Sequence, residues 1–112
     1  KTKVRFFLGG PKFMMTATDV LIEVTDKMLL ELRQTHEVYD SMYTYTKYPV
    51  RFVRIETTKK ELYFIITSDN KITIFEFINV IHSPPWKTLN SFSLYEPDFI
   101  EKLTKYVKEI LI

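Results

Sequence analysis

The residues that could carry out catalysis in this 112-residue chain are few. It has two histidines, His36 and His82, and no cysteine, so disulfides, thiol catalysis and cysteine-based zinc sites are excluded. The histidines lie in different segments without the spacing of metal ligands, and no nucleophile motif is present. Paired carboxylates such as Glu23 and Asp26 are typical of a solvated surface. We therefore expect no catalytic residue, no metal and no cofactor.

Aromatic side chains offer recognition chemistry instead, and they make up 15% of the chain. Tyr43, Tyr45 and Tyr48 are close in sequence, and their phenol groups favour half-exposed positions. Tyrosine and tryptophan are enriched at protein interfaces, so this cluster is either a recognition surface or part of a sheet core. Trp86 follows two prolines, and it either packs back on the core or contacts a partner.

The predicted partner-binding residues come from the tyrosine cluster, the single tryptophan and the rim of a C-terminal helix. They are Tyr43, Tyr45, Tyr48, Trp86, Lys102, Tyr106 and Lys108. All are chosen for their expected exposure. The predicted binding mode is a partner segment in a groove between helix and sheet, or along an exposed sheet edge.

The charge distribution favours a protein partner. The net charge is +2 and the charges are interspersed, whereas phosphate neutralisation requires clustered lysine and arginine. Lys47, Arg51 and Arg54 lie among the tyrosines, a pattern compatible with base stacking, but the charge is too dilute to favour nucleic acid. No apolar run approaches the roughly 20 residues of a membrane span. We expect a cytoplasmic domain that binds another protein. A homodimer is a further possible assembly.

The elements that would position these residues are clearest in the second half of the chain. Strands are predicted over residues 50–57, 61–67 and 72–81, separated by turn-forming residues. The middle strand, ELYFIIT, is a continuous apolar run, which is typical of a central strand covered on both faces. An amphipathic helix is predicted near the C-terminus. Its apolar stripe comprises Phe99, Ile100, Leu103, Val107, Ile110 and Leu111.

Residues 19–32, DVLIEVTDKMLLEL, fit two different periods. With a period of two they form a β-hairpin that turns at residues 25–27 and places Met28, Leu30 and Leu32 on one face. With helical spacing, apolar residues recur from Met28 to Tyr43 and predict a helix over residues 26–46. We favour the hairpin because residues 20–24 and 38–48 are rich in β-branched and aromatic residues, and the helix remains open.

The hairpin interpretation predicts an α+β fold. An antiparallel sheet of about six strands, which begins with short strands at residues 4–8 and 13–17, packs against the C-terminal amphipathic helix. Residues 1–112 would form a single interaction domain, which we expect to be excised from a larger protein.

Two stretches resemble the polo box, the partner-binding module of polo-like kinases. FMMTATDVLIEVTDKMLLEL is similar to the opening strands of that family, with matching residues Val20, Ile22, Val24, Asp26, Leu30 and Leu32. EPDFIEKLTKYVKEIL is similar to the C-terminal helix of the centriole-duplication branch, with matching residues Pro97, Asp98, Phe99, Ile100, Lys102, Leu103, Ile110 and Leu111. The matches cover about a third of the chain. The segment between Thr46 and Tyr95 is longer than in the family, and no phosphopeptide-binding residues can be placed.

The resemblance implies a polo-box-like fold with the hairpin at residues 19–32. It also implies a non-catalytic domain of a serine/threonine kinase that docks a helical or acidic segment of a centriole-assembly scaffold protein, self-associates and locates to the centrosome or centriole. The helical alternative would give the order ββαβββα, similar to longin or roadblock-type trafficking and scaffold modules. A pleckstrin-homology-like lipid or peptide binder is a third alternative.

Overall fold

The fold is a two-layer α+β arrangement. The computed structural model describes residues 3–6, 13–77 and 86–111, and side chains from Thr16 onward. A two-stranded sheet pairs β1 (Lys3–Phe6) with β2 (Phe13–Thr16). A five-stranded antiparallel sheet contains, in chain order, β3 (Val38–Tyr45), β4 (Tyr48–Ile55), β5 (Glu61–Ile66), β6 (Lys71–Phe77) and β7 (Trp86–Ser93). The helices are α1 (Ala17–Leu32) and α2 (Phe99–Ile110).

The predicted class is confirmed. An antiparallel sheet packs against a C-terminal amphipathic helix, although the main sheet has five strands where about six were expected. β4, β5 and β6 correspond to the three predicted strands, and residues 78–81 of the third lie outside the described residues, as does His82.

The predicted hairpin at residues 19–32 is wrong, because these residues belong to α1. A reciprocal capping box starts the helix: the Asp19 amide donates to Thr16 Oγ1 (3.1 Å), and the Thr16 amide donates to Asp19 Oδ2 (3.3 Å). Leu30, which the hairpin would place beside Met28 and Leu32, is 72% exposed. The buried residues instead recur at helical spacing: Ala17, Val20, Leu21, Val24, Thr25, Met28, Leu29 and Leu32.

The helical alternative over residues 26–46 is also wrong beyond Leu32, since residues 38–45 form β3. The positions that resemble the opening polo-box strands therefore lie on a helix. Helix propensity differs by only about 0.5 kcal/mol per residue for β-branched side chains, and burial of an amphipathic face outweighs it. Thr25 is accommodated within the core because its hydroxyl donates to the Leu21 carbonyl (2.5 Å).

Both helices cover the same face of the main sheet. The covered face contributes alternate residues of each strand, such as Val53, Leu62, Phe64 and Ile74, and all four are fully buried. β5 is the central strand, but only Leu62, Phe64 and Ile66 are buried. The prediction that this strand is covered on both faces is therefore wrong for the described part of the chain.

A buried ion-pair cluster fixes α1 to the edge of the sheet. Arg51 of β4 is 6% exposed, and its Nη1 lies 3.0 Å from Asp26 Oδ1 of α1 while its Nη2 lies 2.5 Å from Asp40 Oδ2 of β3. Arg33 also pairs with Asp40. Burial by itself would raise the pKa of Asp40, but hydrogen bonds and charges from Arg33 and Arg51 together lower it. The cluster thus ties one helix to two strands.

Candidate functional site: an aromatic groove on the open face of the sheet

The face of the main sheet away from the helices, here called the outer face, is largely aromatic. Directly paired residues of antiparallel strands point to the same face, and the register pairs Tyr45 with Tyr48 and Tyr43 with Val50. Further pairs extend this face across the sheet: Phe52 with Tyr63, Tyr63 with Phe75, and Phe77 with Trp86. Antiparallel sheets usually alternate apolar and polar faces, so this second apolar face is not accounted for by the core.

A groove of about 220 Å³ lies on the outer face, and we call it the aromatic groove. Val50 and Ile65 are the two aliphatic residues among the aromatic side chains of the lining, so they form its floor. Tyr45 and Tyr48 stand two residues further along the strands on one side, and Tyr63 and Phe75 on the other. Its complete lining is Tyr43, Tyr45, Tyr48, Val50, Tyr63, Ile65, Phe75 and Trp86.

The aromatic rings beside the groove support one another. The Phe52 ring lies 5.1 Å from Tyr63, and Trp86 lies 4.7 Å from Tyr63 and 5.3 Å from Phe77, measured between ring centroids. The two Trp86 contacts are edge-to-face, the arrangement that aromatic quadrupoles prefer. Tyr39 extends the series at 6.1 Å from Phe52. These contacts hold one wall of the groove in place before any ligand binds.

The groove is poor in charge. None of the residues that line it is charged. Arg54 forms ion pairs elsewhere on the outer face: its Nε lies 3.0 Å from Glu56 Oε1 and its Nη1 lies 3.9 Å from Glu61 Oε2. Arg54 also lies 5.3 Å from the centre of the Tyr39 ring. Recognition in this groove must therefore rest mainly on apolar contact.

The surface of the groove is almost entirely apolar, although four of its lining residues are tyrosines. Burial, and then the neighbouring Tyr45, raise the pKa of Tyr43. Burial, followed by Glu61 and Tyr43, likewise raises the pKa of Tyr63. Both phenols therefore stay protonated and uncharged at neutral pH.

Four of the predicted binding residues meet in this groove. Tyr43, Tyr45 and Tyr48 are 39%, 57% and 53% exposed, which places the tyrosine cluster on a surface and not in the core. Trp86 begins strand β7 and is 37% exposed.

The other three predicted residues lie on α2, on the opposite side of the sheet from the groove. Lys102 Nζ lies 2.7 Å from Glu96 Oε2, and Lys108 Nζ lies 2.8 Å from Glu31 Oε1 of α1. The Tyr106 ring packs 5.8 Å from Phe92. The interface between α2 and the sheet is filled by the core, so these residues do not border a helix–sheet groove.

The sequence analysis missed half of the lining. Val50, Tyr63, Ile65 and Phe75 were not among the predicted binding residues, and Tyr63 and Ile65 lie within the apolar run ELYFIIT that predicted cover on both faces. One signal was available: Leu62, Phe64 and Ile66 already supply a full core face, so apolar residues at the alternating positions of β5 must face elsewhere.

Comparisons with known proteins do not identify a family for this chain, so its function has to be inferred from the fold and the aromatic groove. No family model, curated protein or solved structure matches this chain. In the described ranges, no three His, Asp or Glu side chains converge in a way that would hold a metal ion. Neither α1 nor α2 is long and apolar enough to cross a membrane. The geometry defines an α+β domain with one packed and one exposed apolar sheet face.

Proposed function

We propose that this chain is a non-catalytic protein-interaction domain whose aromatic groove binds an apolar segment of a partner protein. The observation that carries the proposal is the outer face itself. Tyr45, Tyr48 and Phe77 on this largely aromatic face are about half exposed. Contiguous apolar patches on soluble domains mark interaction sites.

The groove has the properties of an energetic hot spot. Tyrosine and tryptophan dominate such sites, where truncation of one side chain costs about 2 kcal/mol or more. The edge-to-face contacts of Trp86 with Tyr63 and Phe77 hold its wall in position. Side chains that are already held in place lose less conformational freedom on binding than mobile ones do. A larger share of their contact energy therefore contributes to the binding free energy.

A protein segment suits this groove better than single-stranded nucleic acid. Base stacking requires exposed ring faces beside cationic groups that follow the phosphates. Here the rings of Tyr63 and Trp86 pack edge-to-face against each other, and the guanidinium of Arg54 on the outer face is already paired with Glu56 and Glu61.

The more specific parts of the proposal rest on the polo-box resemblance. The similarity of the C-terminal helix to the polo box is the basis for four specific proposals: a centriole-assembly scaffold as partner, self-association, a parent kinase and a centrosomal location. The groove supports only the general part, the docking of a protein segment. The two parts can therefore fail separately.

The test is a peptide selection followed by affinity measurements on matched variants. Peptides of 16 residues would be selected from a random displayed library on the immobilised protein, and their Kd measured by fluorescence polarisation. Tyr48→Ala removes a groove wall, whereas Tyr95→Ala removes a tyrosine that is 63% exposed outside the groove. We expect Tyr48→Ala to weaken binding about tenfold or more and Tyr95→Ala to leave it unchanged.

Two outcomes would count against the proposal. One is that the selection yields no peptide whose binding depends on Tyr48. The other is that the selected peptides respond to Lys108→Ser on α2 and not to the groove variant. Circular dichroism of each variant separates loss of binding from loss of folding.

A further inference from the structure

We propose that β3 pairs edge to edge with β3 of a second copy of this chain, which joins the two main sheets into one antiparallel sheet. The two strands run antiparallel about a two-fold axis at Ser41. This inference assigns a surface to the self-association in the proposed function and rests on that part of it. It uses the edge of the sheet and does not depend on what occupies the aromatic groove.

The two edges of the main sheet, β3 and β7, differ in how they are protected. β7 contains Lys87, and its register with β6 shifts between Ile74 and Phe75, which places a bulge at that edge. Lysines and bulges are the means by which natural sheets discourage edge pairing. The eight residues of β3, VYDSMYTY, include no lysine, proline or glycine, and they pair with β4 without a break. β3 is therefore a long, regular and unprotected edge.

The single charge on β3 does not protect this edge either. Asp40 pairs with Val53, which is buried, so its side chain points to the helix side of the sheet. An inward-pointing charge can discourage edge pairing. Here the carboxylate is already neutralised by Arg33 and Arg51, so a second strand beside β3 would not leave it without a partner.

Half of the backbone groups of β3 point away from the sheet. The Glu56 amide donates to the Glu37 carbonyl (3.0 Å) where the β3–β4 ladder begins. Bonded and non-bonded pairs alternate along an antiparallel ladder, so the odd-numbered residues of β3 exchange hydrogen bonds with β4. Among the described residues, no strand lies on the other side of β3. The residues whose amides and carbonyls face that side are Val38, Asp40, Met42 and Thr44.

The sequence of β3 is nearly symmetric about Ser41. Tyr39 and Tyr43 lie two residues to either side of it, and the β-branched Val38 and Thr44 lie three residues to either side. A two-fold axis sets each residue of a strand opposite its mirror position in the second copy. Tyr39 would therefore lie opposite Tyr43 of the second copy on the outer face, and aromatic cross-strand pairs stabilise sheets. This self-complementarity favours a second copy over an unrelated strand.

An axis at Ser41 also gives more hydrogen bonds than the neighbouring registers. All four residues with outward backbone groups would take part, and each bonded pair of an antiparallel ladder exchanges two hydrogen bonds. An axis at Asp40 or at Met42 would use only three of the four, and an axis at Asp40 would also set two carboxylates directly opposite each other. The bonded pairs of the favoured register are Val38 with Thr44 and Asp40 with Met42, each formed twice.

This pairing closes at a dimer. β7 of each copy would lie at an outer end of the joined sheet, where Lys87 and the bulge discourage further addition. A two-fold axis perpendicular to the sheet keeps both outer faces on the same side. The two aromatic faces would then be contiguous, with Tyr43, which lines the groove, close to the junction.

Ser41 provides the test, because it pairs with Phe52 on the outer face and not with a core residue. Ser41→Lys would set two ammonium groups opposite each other at the axis and should raise the dimer Kd at least tenfold. Ser41→Glu should have the same effect. An equimolar mixture of the two variants should restore the dimer, because residue 41 faces its own copy only in the proposed register.

Ser91→Lys is the matched control. Ser91 pairs with Thr73 on the same face but lies on β7, the other edge of the sheet, so this variant should dimerise like the wild type. Sedimentation equilibrium from about 5 to about 500 μM measures each Kd, and the wild-type mass should rise with concentration from 13.4 kDa towards twice that value. Circular dichroism of each variant separates loss of dimerisation from loss of folding.

The outcomes distinguish this inference from the docking function. If the wild type stays monomeric at about 500 μM while library-selected peptides still depend on Tyr48, the edge pairing is wrong and the docking function stands. If the chain dimerises but Ser41→Lys leaves the Kd unchanged, or if mixing the lysine and glutamate variants restores nothing, self-association stands and its assignment to β3 is wrong.

Discussion

Removing Asp40 should destabilise this domain more than removing the buried cation with which it pairs. Arg51 is almost fully buried, whereas the side chains of Asp40 and Asp26 are 22% and 56% exposed. Asp40→Ala therefore leaves a buried guanidinium with one largely solvated partner. Breaking a buried ion pair in this way costs about 3–5 kcal/mol, and since Asp26 remains in place we expect about 2–3 kcal/mol.

Arg51→Met removes the buried charge but keeps much of the apolar stem. Asp26 and Asp40 would then lose their ion pairs with Arg51. Both carboxylates can still contact water, and Asp40 still pairs with Arg33. We expect a cost of about 1 kcal/mol or less, because replacing buried charge by apolar volume is close to neutral. The asymmetry follows from which member of the cluster has lost its access to solvent.

Urea unfolding at pH 7, followed by circular dichroism, measures both variants. For a domain of this size, the Asp40→Ala cost corresponds to a Tm lower by roughly 10 °C. The pKa of Asp40 is lowered in the folded state from 3.8, so its stabilising effect is complete above that ordinary value. The effect is lost as the pH falls through the lower folded pKa. The stability difference between wild type and Asp40→Ala should therefore shrink under strongly acidic conditions. If Arg51→Met costs as much as Asp40→Ala, the account of the cluster is wrong.

Two further predictions concern local backbone structure. Thr16→Ala should lower the free energy of unfolding by about 1 kcal/mol, because it removes the side-chain half of the α1 capping box, while Thr16→Ser should restore it; thermal unfolding of the two variants checks this. Thr46 has a φ of 56° in the turn between β3 and β4, a conformation that is unfavourable for a β-branched residue and tolerated by asparagine. Thr46→Asn should therefore raise the free energy of unfolding by about 0.5–1 kcal/mol in urea titrations, and a Thr46→Val variant that gained as much would contradict this reason.

The sequence predicted the parts of the fold in which one period dominates. The stripe that includes Phe99, Leu103 and Val107 has helical spacing without competing β-formers, and α2 lies where it was expected. Strands β4 to β6 were bounded by clear turn residues. α1 was missed because Val20, Ile22 and Val24 satisfy a two-residue alternation as well as a helical one.

The decisive local signal for α1 was the T-x-x-D pattern at residues 16–19, which matches a capping box before an apolar run. Tertiary burial then settled the competition, since Leu21 and Leu29 join Met28 and Leu32 in the core only in the helical form. Local propensity alone could not decide between the two periods.

Only half of the residues that line the groove were predicted, again because the pattern of a single strand does not show which of its faces is buried. The tyrosines of β3 and β4 were expected to be half-exposed from their phenol groups, and they are. Tyr63 and Ile65 were expected to be covered, because a run that is apolar on both faces predicts cover on both faces. Which face remains open depends on both helices packing on the same side of the sheet, and this is a property of the tertiary fold that no single strand encodes.

The most direct test of the central claim is to map the binding surface by NMR. Amide chemical shifts of ¹⁵N-labelled protein would be followed during titration with a library-selected peptide. The docking account predicts that the perturbed amides cluster on β3, β4 and β5 around Tyr43, Val50 and Ile65, and at Trp86 of β7, with α1 and α2 unchanged. Perturbations confined to the helices, with the groove residues unaffected at saturation, would contradict it.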